Sequence, residues 1–237
     1  MTIEQHNQEQ RAYFEKTTKA TMVPTRSPYL NRHIDQVLQF APQKPGMRIL
    51  EVGCGMGRYT LLLWERGYAV EGLDLSPVLL QRLRDYDGGQ HDQPLYCADI
   101  LSPPDELHQS FDIVMGFFTL HHLHDLKACF AAMASLLRPG GQILFLEPNA
   151  FNPLYYIQIL LTPRMTWKGE GGIVRMRPDI LFPALQNAGF RSIRFHHFGF
   201  FPPFITNLPG GVRLESLMEK LPIKPFLPFQ IVVADKA

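Results

Sequence analysis

The chain has 237 residues, of which 46% are hydrophobic and 19% are charged. These values are typical of a globular protein with a sizeable core, and they exclude disorder over most of the length. Lysine and arginine number 23 against 22 acidic residues, so the net charge of +1 argues against a general nucleic-acid binder. No apolar run has the length of a membrane span, and the first ten residues are polar, without a signal-peptide core.

The three cysteines, Cys54, Cys97 and Cys129, lie far apart in the sequence and form no C-x-x-C pair. This pattern argues against a disulfide framework and against a thiolate zinc site. We therefore expect reduced thiols in a cytoplasmic protein.

The predicted elements change character near Met47. Before it, Leu30, Ile34 and Val37 recur at helical spacing, so the first 46 residues are predicted to be mainly helical. After it, short apolar runs alternate with helical stretches. The predicted strands are residues 48–52, 69–74, 95–98, 111–115 and 142–146, and the predicted helices are residues 59–66, 77–86 and 126–137.

Strand–helix alternation predicts an α/β fold with a Rossmann-like, doubly wound, mostly parallel sheet and helices on both faces. After residue 147 the alternation is diluted by proline and phenylalanine. There we expect helices at residues 155–161, 178–188 and 212–221, late strands at 192–201 and 230–234, and insertions around residues 150–177 and 202–228.

The most informative segment is the glycine loop, residues 53–57, which follows a predicted strand and opens a helix. Glycine allows a ligand to approach the backbone, so three alternating glycines behind Glu51 favour a binding loop over a plain turn. The spacing G-x-G-x-G differs from the G-x-G-x-x-G of dinucleotide-binding proteins, which argues against a nicotinamide cofactor.

Two carboxylates end the next two predicted strands. Asp74 lies about 20 residues after the glycine loop, where a crossover fold places an acid that accepts ribose hydroxyls. Ser76 already suits the role of helix cap, which favours binding as the role of Asp74. Asp99 ends the third strand, where it could accept a hydrogen bond from an adenine amino group or cap a turn.

Five segments together resemble the successive motifs of class I S-adenosylmethionine-dependent methyltransferases. They are ILEVGCGMGRYT, VEGLDLS, YCADI, FDIVMGFFTLHHLHD and LLRPGGQILFLEPN, and they cover roughly residues 47–149. The nearest likeness is to the branch that methylates small molecules, such as quinones, sugars and natural products. The resemblance implies a methyltransferase that uses S-adenosyl-L-methionine, releases S-adenosyl-L-homocysteine and methylates a small-molecule acceptor.

The resemblance also implies roles for single positions. Glu51 and the backbone of the glycine loop surround the methionine part of the cofactor, Asp74 takes the ribose, and Asp99 holds the adenine edge. The residues implied to bind the cofactor are Glu51, Gly53, Cys54, Gly55, Gly57, Asp74, Leu75, Asp99, Ile100 and Phe117.

The resemblance further implies an N-terminal helical lid, residues 1–46, over a core, residues 47–237, whose two insertions form a substrate cap. The candidates for lid contacts are Tyr13, Phe14 and Tyr29. Arg58 or Thr60 could meet the carboxylate of the cofactor at a helix N-terminus, where the helix dipole favours an anion.

Catalysis is predicted at His121 and Glu147. Methyl transfer from a sulfonium is an in-line displacement, so orientation matters most and a base serves only an acceptor that must lose a proton. In related sugar and natural-product enzymes, a histidine of this motif works with an acid that ends the fifth strand. We expect His121 to be the base or the acceptor-orienting group and Glu147 to support it.

Three histidines and an acid within five residues, His121, His122, His124 and Asp125, raise the question of a metal site. No H-E-x-x-H motif is present, and adjacent histidines in a loop are expected to point in different directions. We therefore expect no metal here, with one of His121 and His122 bonded to the backbone and the other facing the acceptor.

The C-terminal region is rich in aromatic residues, which permits three interpretations. The rings could form the core of a cap, line a pocket for an apolar or aromatic acceptor, or contact a membrane surface. The residues concerned are Tyr155, Tyr156, Phe195, Phe198, Phe200, Phe201, Phe204, Phe226 and Phe229. O-methylation is favoured, with C- or N-methylation possible.

The alternatives to a small-molecule enzyme are a non-catalytic binder of S-adenosylmethionine or a partner subunit, and an enzyme whose acceptor is lipid-linked. Methylation of nucleic-acid bases is disfavoured, because the Asn/Asp-Pro-Pro-aromatic motif is missing after the fourth strand, where Gly116 and Phe117 stand.

Overall fold

The computed structural model describes residues 3–16, 18, 21–42, 44–161 and 166–237, which contain a single seven-stranded sheet. The strands are β1 Ile49–Val52, β2 Val70–Asp74, β3 Leu95–Cys97, β4 Phe111–Phe117, β5 Leu137–Pro148, β6 Phe190–Phe198 and β7 Phe229–Lys236. The helices are α1 Ile3–Lys16, α2 Pro28–Leu38, α3 Thr60–Glu65, α4 Pro77–Asp87, α5 Leu126–Leu136, α6 Pro153–Leu161, α7 Trp167–Glu170, α8 Pro178–Asn187, α9 Pro203–Thr206 and α10 Gly211–Met218. Short 3-10 helices form at Asp105–Leu107, Leu120–His122, Gly171–Arg175 and Lys224–Phe226.

The strand order is β3-β2-β1-β4-β5-β7-β6, which confirms the predicted Rossmann-like fold. Strands β1 to β5 are parallel, whereas β7 pairs antiparallel with both β5 and β6. The order reverses between β1 and β4, because the chain first winds outwards through β2 and β3 and then returns. Ligands of open α/β sheets bind at the carboxyl ends of the strands beside such a reversal.

Both faces of the sheet are covered, as the continuous apolar strands predict. On one face, α5 and α8 pack over a core that includes Phe111, Phe130 and Phe145. On the other face, α2 and α3 bury Ile34, Leu63 and neighbouring side chains against β1 and β4. The sheet edge that carries the glycine loop is therefore held rigidly from both sides.

Local sequence signals position the helices next to this edge. Ser76 caps α4, because its hydroxyl oxygen accepts a hydrogen bond from the Leu79 backbone N–H at 3.2 Å. Ser27 caps α2 in the same way, through the Leu30 N–H at 3.2 Å. Pro28 and Pro77 occupy the first positions of these helices, where a missing N–H is harmless.

The largest correction to a predicted strand boundary concerns β5. We predicted that residues 138–141 lie outside the sheet and that the fifth strand begins at Gln142, but β5 begins at Leu137. Leu137 pairs with Phe111 of β4, and the register then shifts before Ile113 pairs with Gln142. A bulge therefore accommodates the Pro139–Gly140 turn-like sequence inside the strand.

Candidate active site

A cavity of about 590 Å³ lies at the carboxyl ends of the strands, beside the reversal between β1 and β4. This volume falls within the range of about 300–1,000 Å³ that small-molecule sites occupy. The glycine loop, α1 and the C-terminal insertion all contribute side chains or backbone to its wall.

The three loop glycines have positive φ angles, of 72° at Gly53, 54° at Gly55 and 88° at Gly57, which side chains rarely adopt. A Cβ at Gly55 would meet no atom within 4 Å, so this backbone faces open space in the cavity. A Cβ at Gly57 would come within 2.8 Å of the Leu83 side chain in α4, and Gly57 does not line the cavity. This glycine permits close packing on α4, and its contact with a ligand stays a prediction.

Asp74 ends β2 with its carboxylate held by the backbone. Oδ2 accepts a hydrogen bond from the Gly55 N–H at 2.8 Å, and Oδ1 accepts one from the Ser76 N–H at 2.9 Å. Burial raises the pKa of Asp74, and these backbone N–H groups oppose the rise. Asp74 lines the cavity, as predicted.

Glu51 lies beneath the glycine loop and is almost fully buried. Its Oε2 accepts a hydrogen bond of 2.7 Å from the Thr60 hydroxyl. Burial raises the pKa of Glu51 to about 8. Thr60 does not line the cavity, so of the two residues predicted to meet a carboxylate only Arg58 is placed to do so.

The predicted residues at the next strand ends also line the cavity, namely Cys54, Leu75, Asp99, Ile100 and Phe117. Phe117 stacks on Tyr59, with ring centres 4.2 Å apart and planes within 8° of parallel. The carboxylate of Asp99 accepts hydrogen bonds from the Leu101 N–H and from the Asn7 side-chain amide of α1.

Helix α1 lies across this half of the cavity. Besides the Asn7 contact, the Ser76 hydroxyl donates a hydrogen bond to Glu15 at 2.7 Å. Among the lid candidates, Phe14 and Tyr29 line the cavity, whereas the Tyr13 ring packs close to Gly169.

His121 and Glu147 form a buried pair beside the cavity. The Nδ1–H of His121 donates to Glu147 Oε2 at 2.7 Å, and Glu147 Oε1 accepts the backbone N–H groups of Thr119 and Leu120 at 2.8 and 2.7 Å. Glu147 therefore fixes both the imidazole and the turn that carries it. His121 lines the cavity and Glu147 lies behind it.

A second carboxylate faces the other edge of His121. Glu170 Oε2, at the end of α7, lies 3.6 Å from His121 Nε2. Burial lowers the pKa of His121, but Glu147 and Glu170 together outweigh burial and raise it to about 9. The imidazole is therefore largely protonated at neutral pH and is not available to accept a proton from an acceptor hydroxyl.

The expectation that adjacent histidines point apart is wrong. In the 3-10 turn Leu120–His122, the rings of His121 and His122 lie 3.9 Å apart. His122 bonds the backbone, as expected for one of the pair, because its Nδ1–H donates to the Gly169 carbonyl at 3.0 Å.

Aromatic side chains cover the rest of the cavity wall, and they surround His33 of α2. The imidazole of His33 contacts the rings of Tyr29, Phe118 and Phe229, with centres 4.3 to 5.7 Å away. Its Nδ1 bonds the Tyr59 hydroxyl at 2.9 Å, and its buried Nε2 has no hydrogen-bond partner among the described residues. Burial lowers the pKa of His33 to about 3, so the ring is neutral.

Sequence reasoning missed Asn7, His33 and Glu170 as cavity residues. None of them belongs to a spaced motif, and each comes from a helix distant in sequence from the strand ends. The spacing of apolar residues around His33 predicted a helix, but it did not indicate that His33 faces a cavity.

A family model described as a methyltransferase domain matches residues 26–194, which is most of the chain. The chain belongs to the class I S-adenosylmethionine-dependent methyltransferases. Its strand order, glycine loop and strand-end carboxylates are the features that the resemblance in the sequence implied. The cofactor of this family is S-adenosylmethionine.

The methyltransferase has curated relatives of known reaction. A ubiquinone biosynthesis O-methyltransferase of Idiomarina loihiensis is 34% identical over 128 residues, which are 53% of this chain and 49% of that protein. The chain spans about half the length of the first curated relatives that it matches.

Solved structures share the fold at low identity. Phosphoethanolamine N-methyltransferase 2 of Haemonchus contortus, in complex with S-adenosyl-L-methionine, matches with a TM-score of 0.61 and 18% identity over 87% of this chain and 52% of that one. Geranyl diphosphate C-methyltransferase of Streptomyces coelicolor, in complex with Mg²⁺, geranyl diphosphate and S-adenosyl-L-homocysteine, matches with a TM-score of 0.60 and 16% identity over 98% of both chains. At such identities the likeness concerns the fold alone, and acceptors differ among these proteins.

Proposed function

We propose that this methyltransferase transfers a methyl group from S-adenosylmethionine to a hydroxyl oxygen of a small apolar or aromatic acceptor. One observation carries the proposal: a single cavity joins the glycine loop and strand-end carboxylates to an aromatic wall, with His121 between two carboxylates at its side. The O-methyltransferase relative supports oxygen as the acceptor atom.

The residues present fit the cofactor. Gly55 leaves open space beside its backbone, and the Asp74 carboxylate is held at the wall by backbone N–H groups. In our proposal Asp74 accepts the ribose hydroxyls, Leu75 and Ile100 enclose adenine, and Asp99 bonds its edge. Glu51, the backbone of residues 53–55, and Phe117 surround the methionine part, whose carboxylate Arg58 meets.

Bound S-adenosylmethionine supplies an electrophilic methyl group on a sulfonium whose departing thioether needs no acid. The work left to this chain is to orient the acceptor and to exclude water. The aromatic wall around Tyr29 and Phe229 binds the apolar body of the acceptor, and His121, held by Glu147, orients its oxygen. The ring of His33 presents its unpartnered Nε2 to a second polar group of the acceptor.

We propose the parts of the chain outside the sheet as covers for this cavity. Helix α1, within residues 1–46, acts as a lid through its contacts with Asp99 and Ser76. Insertion residues such as Tyr155 and Phe201 line the cavity, which supports a substrate cap built from residues 150–177 and 202–228.

A second candidate is an acceptor with a lipid tail, reached at a membrane surface. Leu154 of α6 lines the cavity and is also exposed, so the apolar wall continues to the outside. Within the described ranges, no helix is both long and apolar enough to cross a membrane. The contact that we propose is peripheral.

The decisive experiment titrates S-adenosylhomocysteine by calorimetry and then measures its release from S-adenosylmethionine with phenols, catechols, sugars and prenylated quinols. We expect binding and turnover with a hydroxylated aromatic acceptor. Asp74→Asn should weaken binding about 10- to 100-fold, because a hydrogen bond to a charged group contributes about 1.5–3 kcal/mol. Asp85→Asn, an exposed change on α4, is the control.

Binding without turnover on any acceptor would favour the non-catalytic binder. Absence of binding, or binding that Asp74→Asn leaves intact, would contradict the cofactor assignment. Wild-type turnover by His121→Ala would contradict the role of His121.

A further inference from the structure

Three potential metal ligands converge at one side of the cavity. One ligand atom each from His121, His122 and Glu170 lies within 4.8 Å of the others. His121 and Glu170 are buried, and all three residues line the cavity. Two imidazoles and one carboxylate form a donor set that suits divalent ions of the first transition row.

The hydrogen bonds of the two imidazoles fix their tautomers. The Nδ1 of His121 faces a carboxylate and the Nδ1 of His122 faces a backbone carbonyl, and both of these partners are acceptors. In its neutral form each ring therefore carries its proton on Nδ1, so Nε2 is the nitrogen able to bind a metal ion. At neutral pH an ion would replace the Nε2 proton of His121. Histidine ligands of metals characteristically donate their second nitrogen to a carboxylate or carbonyl in this way.

An independent observation points into the same space. His121 Nε2 is buried and has no hydrogen-bond partner among the described residues, and its nearest carboxylate oxygen, on Glu170, is 3.6 Å away. A buried nitrogen without a partner is unusual, because most buried polar atoms are bonded. The His121 Nε2 atom thus lacks a hydrogen-bond partner on the side that faces Glu170.

The chain brings Glu170 to this position through an unusually close approach. A Cβ on Gly172 would lie 1.7 Å from the His121 carbonyl oxygen, so only glycine fits there. The Arg175 guanidinium donates to the carbonyl oxygens of His121 and His124, at 3.2 and 2.7 Å. These contacts hold the end of α7 against the histidine turn.

We propose that His121 Nε2, His122 Nε2 and a Glu170 oxygen bind one divalent transition-metal ion, such as Zn²⁺, Co²⁺ or Mn²⁺, whose open position faces the cavity. With an ion at about 2.1 Å from each ligand, tetrahedral angles set the ligand atoms about 3.4 Å apart. Ligand atoms that now lie up to 4.8 Å apart therefore need to close by up to about 1.4 Å. The negative charges of Glu147 and Glu170 favour a cation at this point.

The proposal rests on the proposed methyltransferase function and narrows its acceptor to hydroxylated compounds that coordinate a metal, with catechols as the best match. An ion held by His121, His122 and Glu170 would bind the acceptor oxygen and lower its pKa, and the hydroxyl proton would leave to solvent. The oxygen electron pair would then form the O–CH₃ bond as the S–CH₃ bond breaks, with the electrons of that bond staying on the neutral thioether.

Metal binding is testable without turnover. We expect the metal-stripped protein to bind one equivalent of ZnCl₂ in calorimetry and to give visible absorption bands with CoCl₂. Glu170→Gln and His122→Phe should each weaken Zn²⁺ binding at least about tenfold, and Glu147→Gln, which loosens the support of His121, about 10- to 100-fold. His91→Asn removes another histidine–carboxylate pair, with Asp87, and should leave binding unchanged.

Calorimetry with S-adenosylhomocysteine checks that every variant is folded and keeps its cofactor site. Cofactor binding without Zn²⁺ or Co²⁺ binding would overturn the metal site and leave the proposed function standing. Metal binding that Glu170→Gln and His122→Phe do not weaken would overturn the ligand assignment. If the metal binds but no acceptor is methylated, the proposed function fails and the metal site stands.

Discussion

At the scale of single residues, the ionisation of Glu51 makes the free energy of unfolding depend on pH. Its carboxyl group is buried beneath the glycine loop, bonded to Thr60, and burial raises its pKa from an ordinary value near 4.5 to about 8. A raised pKa in the folded state means that folding favours the protonated acid. The stabilisation is complete below the unfolded pKa and is lost as pH rises through about 8.

We therefore expect Glu51→Gln to become more stable relative to the wild type as pH rises from 5 to 8.5. Glutamine keeps an acceptor for the Thr60 hydroxyl and never ionises. Each unit of pKa shift corresponds to about 1.4 kcal/mol, so the difference should reach a few kcal/mol. Urea unfolding of the ligand-free proteins at several pH values measures it, and a pH-independent difference would show that Glu51 titrates normally.

The sequence predicted which residues lie at the site where a strand end determines the position of the side chain. Asp74, Asp99 and His121 follow strands directly, and parallel strands bring their carboxyl ends to one edge. The His121–Glu147 contact was predicted from the resemblance to related methyltransferases, and the structure shows it, whereas its catalytic role stays a prediction. Glu170 could not be predicted, because its approach depends on a loop packing that no spacing encodes.

At the scale of elements, the short helix α7 and the 3-10 helix Gly171–Arg175 deliver Glu170 to the site. Neither helix was predicted from the sequence, because segments of four or five residues are too short to show helical periodicity. The strands, by contrast, were predicted to within a few residues, because buried apolar runs mark them. The early start of β5 was missed because Pro139 and Gly140 imitate a loop inside a bulged strand.

Gly172→Ala tests how tightly this segment is held. The new methyl group would clash with the His121 carbonyl, so we expect a loss of about 1–3 kcal/mol in the free energy of unfolding. For a domain of this size, each kcal/mol lowers Tm by about 2–4 °C, which calorimetry resolves. Gly171→Ala is the control, since its Cβ would meet only the Trp167 side chain at 3.2 Å. Equal Tm values for the two variants would contradict the close packing.

At the scale of the whole molecule, the aromatic and apolar residues of the C-terminal region divide among the buried core, the cavity wall and the exposed surface. Phe198 is buried in the core, and Phe200 and Phe201 line the cavity. Phe204 and Phe226 are exposed, as are Leu160 and Leu161 of α6. Sequence alone could not divide them, because all lie in one proline-rich stretch without a clear period.

In the same region, the acidic side chains of α10 and its C-terminal end face the interior, whereas basic side chains are exposed. Arg32 forms salt bridges with Glu215 of α10, at 3.0 Å, and with Glu219, which directly follows α10. Both carboxylates therefore face inwards. Arg213, Lys220 and Lys224 are exposed beside Leu214, Leu217 and Leu221. The outer side of residues 213–224 is therefore apolar and cationic, which suits an anionic membrane surface.

We predict that the protein binds vesicles of phosphatidylglycerol and phosphatidylcholine in co-sedimentation and binds pure phosphatidylcholine more weakly. Leu160→Glu with Leu161→Glu should reduce binding several-fold, because these side chains are 81% and 76% exposed and their loss spares the core. Val78→Glu with Tyr86→Glu, exposed on α4, is the control. Equal binding by both double variants, or none by the wild type, would contradict a membrane-facing surface.

The contact between Asn7 and Asp99 has a consequence for the lid helix. The Asn7 side chain offers an N–H₂ group to the same carboxylate that we assign to the amino group of adenine. Under our proposal, α1 therefore carries a group that resembles the adenine amino group, and the two would compete for Asp99 Oδ2. Apparent cofactor affinity is then reduced in proportion to the fraction of molecules in which Asn7 is bonded to Asp99.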